Sequence, residues 1–223
     1  MAQDLQPVHI SVVDQLHARL REAIIGNVLT PGTRLSEAEV ATQHGISRQP
    51  VREAFIKLAN ENLLEIRPQR GTYVARISVA DVMDARFVRE AVEADIVTLL
   101  AQDPDPTLIA DLRHQLDRQQ TLTAGPVRDF MEADEAFHRT LAEGAGKGRA
   151  WHVIVGMKAQ MDRVRFLSSM RLPVDRLIGQ HRAVIDAIAA GDVLGAQAAM
   201  RLHLQGILTD LPLIERERPE YFL

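Results

Sequence analysis

A glycine set between two serine-opened helical segments is the feature that most restricts this chain. Ser36 stands where a helix N-cap is needed, and Glu39 follows three residues later, a pairing that satisfies free amides in both directions. The segment carries Ala38, Val40 and Ala41 and stops at His44-Gly45, where glycine suits the left-handed residue that ends a helix. Ser47 caps a second segment, and Pro50 is tolerated in its first turn because early amides have no intrahelical acceptor. Val51, Ala54, Phe55, Leu58 and Ala59 form one apolar stripe on it, so Arg48, Gln49, Arg52 and Glu53 crowd the other side. An upstream helix over Val12–Ile25, with Val13, Leu16, Leu20, Ala23 and Ile24 on its inner face, precedes the pair. After the pair, Leu64 to Arg67 and Thr72 to Val74 flank a Pro68–Gly71 turn and predict a small hairpin. Helix, turn, helix and hairpin in this order make a winged helix-turn-helix.

From Val79 onward helix follows helix. Six amphipathic segments are predicted, roughly 79–101, 106–123, 127–143, 149–170, 174–190 and 192–211, with breaks such as Asp103-Pro104-Asp105-Pro106, Gly125-Pro126, Pro173 and Gly191-Asp192. Short loops between long amphipathic helices imply an antiparallel bundle, here of six or seven helices. The fold class is therefore mainly α, with a winged helix-turn-helix over residues 1–76 and an all-helical domain over 77–223. The charged end, Glu215 to Leu223, is expected at the surface or at a partner. The chain has no cysteine, which removes disulfides and thiolate metal sites and is compatible with a reducing compartment. Neither a secretory leader nor an apolar run of membrane length is visible. The expectation is a cytoplasmic protein with no membrane partner.

Net charge is −4 overall, yet residues 45–76 hold six Lys or Arg against three Asp or Glu. A local basic excess on a winged helix suits phosphate contact. The second helix of such a pair enters the major groove N-terminus first, which makes Arg48, Gln49 and Arg52 the expected base readers. Ser47 can touch phosphate, Gly71 lets the wing backbone come close to DNA, and Arg70 and Arg34 add charge. The alternative is that these arginines only solvate an exposed helix. The stretch PGTRLSEAEVATQHGISRQPVREAFIKLANENLLEIRPQRGTYV resembles the winged helix of the GntR superfamily, most specifically in SRQPVREAF and RGTYV. That resemblance, over about residues 11–76, implies a transcription regulator that binds operator DNA.

In the helical half, Asp134 and His138 are four apart and share one helix face, while His181 and His203 sit on the last two segments. A bundle core can bring such positions together. Carboxylate and imidazole suit zinc, nickel or manganese, although buried histidines are more often plain hydrogen-bonded core residues. His9, His17, His44, His114 and His152 receive that plain reading. Residues 79–212 resemble the FCD ligand-binding domain of the FadR subfamily, through ARFVREAVEADIVTLLA, DEAFHRTLAEGAG and HRAVIDAIAAGDVLGAQAAMRLHL. The resemblance implies that Asp134, His138, His181 and His203 hold a divalent metal, zinc first. It further implies that Arg89 faces a pocket for a small organic or sugar acid. A single winged helix buries little DNA surface and two-fold proteins match palindromic half-sites, so a homodimer is expected. Arg165, on the inward stripe of its helix four residues after Met161, is a further pocket candidate. Arg89 has another reading, an ordinary ion pair with Glu93 at i+4. Two rivals stay open: a metalloenzyme, against which no HExxH or nucleophile-and-base set is found, and a pure dimerisation domain.

Overall fold

The computed structural model describes residues 11–171 and 174–223. The break expected at Pro173 and the plain reading of His9 lie outside them. The chain divides into two compact units, Met1–Arg76 and Ile77–Leu223.

The first unit contains α1 (Val12–Ile25), β1 (Arg34–Leu35), α2 (Glu37–His44), α3 (Arg48–Asn60), β2 (Leu64–Arg67) and β3 (Gly71–Val74). Ser36 caps α2 by accepting from the Glu39 amide, and Gly45 ends it in the left-handed region at φ 63°. Helices α1 and α3 pack together through Leu16, Leu20, Ile24, Val51, Phe55 and Leu58, all buried. Burial of one such side chain is worth roughly 1.5–3 kcal/mol, which fixes α3 on the unit with its polar side outward. Strands β2 and β3 form the expected hairpin, and β1 joins the far edge of β3 to give the order β1-β3-β2. Two residues are too few for β1 to show an alternation.

The second unit runs α4 (Val79–Gln102), α5 (Pro106–Thr121), α6 (Val127–Gly144), α7 (Gly148–Met157), α8 (Ala159–Ser169), α9 (Asp175–Ala189), α10 (Val193–Leu204) and α11 (Gly206–Glu217), followed by a 3-10 turn over Pro219–Tyr221. Two of the six expected segments are divided. The fourth breaks at Lys158, a residue without intrinsic breaking tendency, whose buried ammonium reaches Glu135 and Asp162 at 2.6 Å each. The sixth breaks at Gln205, and α11 then continues past Pro212 to Glu217, where the sequence pattern ends at 211.

Helices α4, α9 and α10 pack against one another, α5 lies on α6 and α9, and α11 lies on α8. The main core gathers Ile96, Leu112, Phe137, Leu141, Ile185 and Met200. A second cluster joins Ile77, Val82, Met161, Val164, Ile207 and Phe222. Residues 215–220 and Leu223 are exposed as expected, but Phe222 is buried at 4% exposed. The Ile77 amide donates to Tyr221 O at 2.7 Å, and the Leu223 amide donates to Ile77 O at 3.1 Å. No helix among the described residues is long and apolar enough to cross a membrane.

Candidate nucleic-acid interface and metal centre

In the first unit, Ser47, Arg48, Gln49 and Arg52 are all exposed at the N-terminal end of α3. Ser47 occupies the N-cap position, but its hydroxyl makes no capping bond; the expected cap is corrected. Arg52 is held by Glu37 of α2, with Nε and Nη2 donating to the two carboxylate oxygens at 3.1 and 3.2 Å. That hydrogen bond to Glu37 strengthens the hold on the Arg52 proton. Gln49 donates to Glu53 at 2.9 Å. Gly71 has φ 107°, and a Cβ there would lie 3.1 Å from Arg34 Nε. Glycine thus makes room for the Arg34 side chain on the wing, while Arg70 stays exposed at the hairpin turn. Ser47 and three residues of α3 form one polar end, and Arg34 of β1 lies beside Gly71 of the wing, with Arg70 at its turn.

In the second unit, α6 supplies Asp134 and His138, α9 supplies His181 and α10 supplies His203. All four side chains are buried, and one ligand atom of each lies within 4.8 Å of the others. His203 Nε2 is 3.1 Å from His138 Nε2 and 3.4 Å from His181 Nε2. Metal–nitrogen bonds of about 2.0–2.1 Å in a tetrahedron put neighbouring ligands about 3.3–3.4 Å apart, close to this spacing. Asp134 Oδ1 is 3.6 Å from His181 Nε2 and has no hydrogen-bond partner. Its other oxygen accepts from Arg165 Nη2 at 2.5 Å.

The outer nitrogens of the rings are each engaged. His138 Nδ1 meets Glu93 Oε2 at 2.5 Å, His181 Nδ1 meets Gln119 Oε1 at 2.8 Å and His203 Nδ1 meets Gln180 Oε1 at 3.3 Å. The Gln119 amide is oriented because its Nε2 donates to Ala133 O at 3.2 Å. Burial works against charge on Glu93, but Arg89 and His138 outweigh it and hold the carboxyl at about 2. An ionised Glu93 accepts only, so His138 carries its proton on Nδ1. Burial pushes His181 down to about 3 and His203 well below the ordinary histidine range. Burial likewise opposes charge on Asp134, yet Arg165 and the three histidines keep it well below the usual carboxylate range.

With Nδ1 of each ring turned to an outer acceptor, three Nε2 atoms and one carboxylate oxygen without a hydrogen-bond partner face each other. A buried group of acceptors without a donor is unfavourable unless a cation sits among them. Orientation of metal-binding imidazoles by carboxylate and carbonyl partners is the usual outer arrangement of such centres. These residues therefore fit a divalent ion.

Arg89 is 2% exposed. It donates from Nε to Glu93 at 2.6 Å, so the ion pair exists, but it is buried rather than solvated. Arg89 also lines a cleft with Arg165, His203, Ser168, Arg176 and Asp210. The enclosed space within this cleft is small, about 40 Å³. Arg89 Nη2 has no hydrogen-bond partner. The sequence shows Glu93 only as an i+4 partner of Arg89 and does not single out Gln119 or Gln180, because acceptors 45, 62 and 23 residues from the histidines they meet leave no pattern. His114 and His152 are exposed, and His17 is taken up by Glu61 at 2.5 Å.

Residues 12–74 match the family described as bacterial regulatory proteins, gntR family, and residues 84–206 match the FCD domain. The chain is 37% identical over 219 residues to the HTH-type transcriptional repressor RspR of Escherichia coli (strain K12), covering 97% of this chain and 94% of that protein. It is 38% identical over 208 residues to an HTH-type transcriptional regulator in an unstable DNA locus of Streptomyces ambofaciens, covering 93% and 88%. Among solved structures, E. coli McbR/YncC superposes with a TM-score of 0.77 at 20% identity, covering 92% of this chain and 99% of that one.

Proposed function

The chain belongs to the gntR family of bacterial regulatory proteins and carries an FCD domain, and from that premise we propose that a small carboxylate metabolite, bound at a metal centre in the helical unit, modulates its grip on operator DNA. It is a DNA-binding regulator, not an enzyme. The metal reading rests above all on three Nε2 atoms converging with Asp134 Oδ1, which has no hydrogen-bond partner of its own. Bound there, a divalent ion supplies a Lewis-acidic position that a carboxylate can coordinate.

Charge balance makes the ion necessary for anion binding. Each cleft arginine is already matched by a carboxylate: Arg89 by Glu93, Arg165 by Asp134 and Arg176 by Asp210. A divalent ion brings positive charge beyond these matched pairs. Arg89 Nη2 is then the donor left for the acid. Zinc suits this donor set best, with nickel or manganese next. The name of the E. coli relative makes repression the expected sign.

Operator half-sites and a two-fold protein match each other, so we take the DNA-binding form to be a homodimer. The test is binding to duplexes selected from a random pool, at fixed salt, with stripped protein, with zinc, and with zinc plus a panel of small organic and sugar acids. At least one acid should change affinity by fivefold or more only when zinc is present, within the usual coupling of about 1–3 kcal/mol. Affinity indifferent to every acid in both metal states would leave the helical unit a dimerisation domain.

A further inference from the structure

Among the described residues, the non-glycine positions with a positive φ are Asn27, Asn62 and Gln69. Asparagine enters the left-handed region readily because its short amide bonds to nearby backbone, and the longer glutamine lacks that relief. Gln69, at φ 60°, therefore carries a backbone cost that its own residue type does not offset.

Gln69 is the third residue of the wing turn Arg67-Pro68-Gln69-Arg70, which the Arg70 amide closes by donating to Arg67 O at 3.0 Å. Proline second and a left-handed residue third are the pattern of a type II turn, where glycine or asparagine ordinarily fills the third place. The turn is held from β3. Tyr73 Oη donates to Arg70 O at 2.9 Å, and the Arg67 guanidinium lies over the Tyr73 ring, 4.7 Å from its centre. One side chain thus fastens both ends of the turn. Gln69 itself is exposed at the tip, next to exposed Arg70. A conformational cost kept where glycine would avoid it points to a role for the side chain.

With α3 taken into the major groove, the groove beside it is the minor one. There every A·T pair shows only acceptors, whereas G·C adds a donor. A glutamine amide supplies donors for such acceptors, and minor-groove proteins read with Arg, Lys, Asn and Gln. We propose that Gln69 reads A·T in the minor groove, presented by a turn that Tyr73 and Arg67 lock. Gln69 is then a specificity residue and Tyr73 a positioning residue, while Arg70 beside them supplies charge without sequence preference.

Fluorescence anisotropy at fixed salt tests this with the full chain, on a duplex selected from a random pool and on copies in which each A·T pair in turn becomes G·C. The wild type should lose about fivefold or more at one or more pairs that Arg52→Ala leaves unaffected, the size of one mismatched base pair. In Gln69→Gly that loss should fall to within about twofold, with discrimination at the Arg52-dependent pairs kept and the urea midpoint at or above wild type. Tyr73→Phe keeps the ring under Arg67, removes the bond to Arg70 O and should blunt discrimination at the same pairs alone. Gln69→Asn suits the left-handed position, draws the amide back by a methylene and carries the test if Gln69→Gly does not fold. Wild-type discrimination at every pair in the Gln69 variants, or a loss spread equally over the Arg52-dependent pairs, overturns the proposal.

Discussion

Glu93 Oε2 accepts from His138 Nδ1 at 2.5 Å, and this one contact decides which nitrogen of the ring faces the centre of the helical unit. The same carboxylate accepts from Arg89 Nε through its other oxygen at 2.6 Å. Glu93 thus joins a metal-facing imidazole to a cleft-lining arginine. Loss of its charge frees the His138 tautomer and removes the partner of a buried guanidinium. Glu93→Gln should weaken zinc binding by about 10–100-fold, the usual effect of removing such an orienting partner. Competition against a chelator of known affinity measures this; unchanged zinc affinity in a folded variant contradicts the role given to Glu93.

Arg165 and Asp134 form a buried pair, with Asp134 inaccessible and the Arg165 side chain 16% exposed. Without a metal, Arg165→Ala leaves an uncompensated buried carboxylate, a change that costs about 3–5 kcal/mol. With zinc bound, the ion compensates the same charge and the loss should shrink. Urea unfolding of stripped and zinc-loaded protein gives both values. An equal loss in the two states places the ion elsewhere.

Much of this was legible in the sequence, and the exceptions have physical causes. Gly45, Ser36 and the stripe on α3 announced the helix-turn-helix because caps and a buried face are local signals. Asp134 and His138 announced themselves by sharing a helix face; His181 and His203 were candidates because a bundle core can gather such positions, and the family resemblance strengthened them, since 22 residues of spacing fixes no distance. Glu93 was hidden in plain view: an i+4 pair with Arg89 looks like any solvated ion pair until burial is known. Lys158, where the fourth segment breaks, meets Glu135 of α6 and its own i+4 neighbour Asp162, and Phe222 is an apolar residue inside a charged tail. Neither leaves a periodic trace.

On the DNA side, Arg52 is the proposed base reader, and Glu37 holds its guanidinium in place. Arg52→Ala should cost about 1–3 kcal/mol on a selected duplex and relax preference at one base pair. Glu37→Gln loosens Arg52 and removes a negative charge, so it should raise affinity for random duplex while narrowing the gap to the selected one. Arg70→Ala should weaken all duplexes evenly and flatten the salt dependence by about one. Fluorescence anisotropy across a salt series distinguishes the three, and identical behaviour of all three variants contradicts the assigned roles.

The chain end is part of the helical core. Phe222 is buried in the cluster with Ile77, Val82 and Met161, and the neighbouring backbone pairs with Ile77. Phe222→Ala should destabilise the helical unit by about 3–5 kcal/mol, as deletion of a buried phenylalanine does. Urea unfolding measures it, and a loss below about 1 kcal/mol, the size of an ordinary surface change, contradicts this packing.

The most direct measurement is calorimetric titration of zinc into the chelator-stripped full chain, for the wild type and for His181→Ala. His181 lies at the heart of the centre, fully buried, with Nε2 toward His203 and Asp134. The expected result is one ion per chain in the wild type and affinity at least about tenfold weaker in His181→Ala, with helical content retained in both. No zinc binding by the wild type, or equal affinity in the variant, would contradict the metal centre and the effector mechanism built on it.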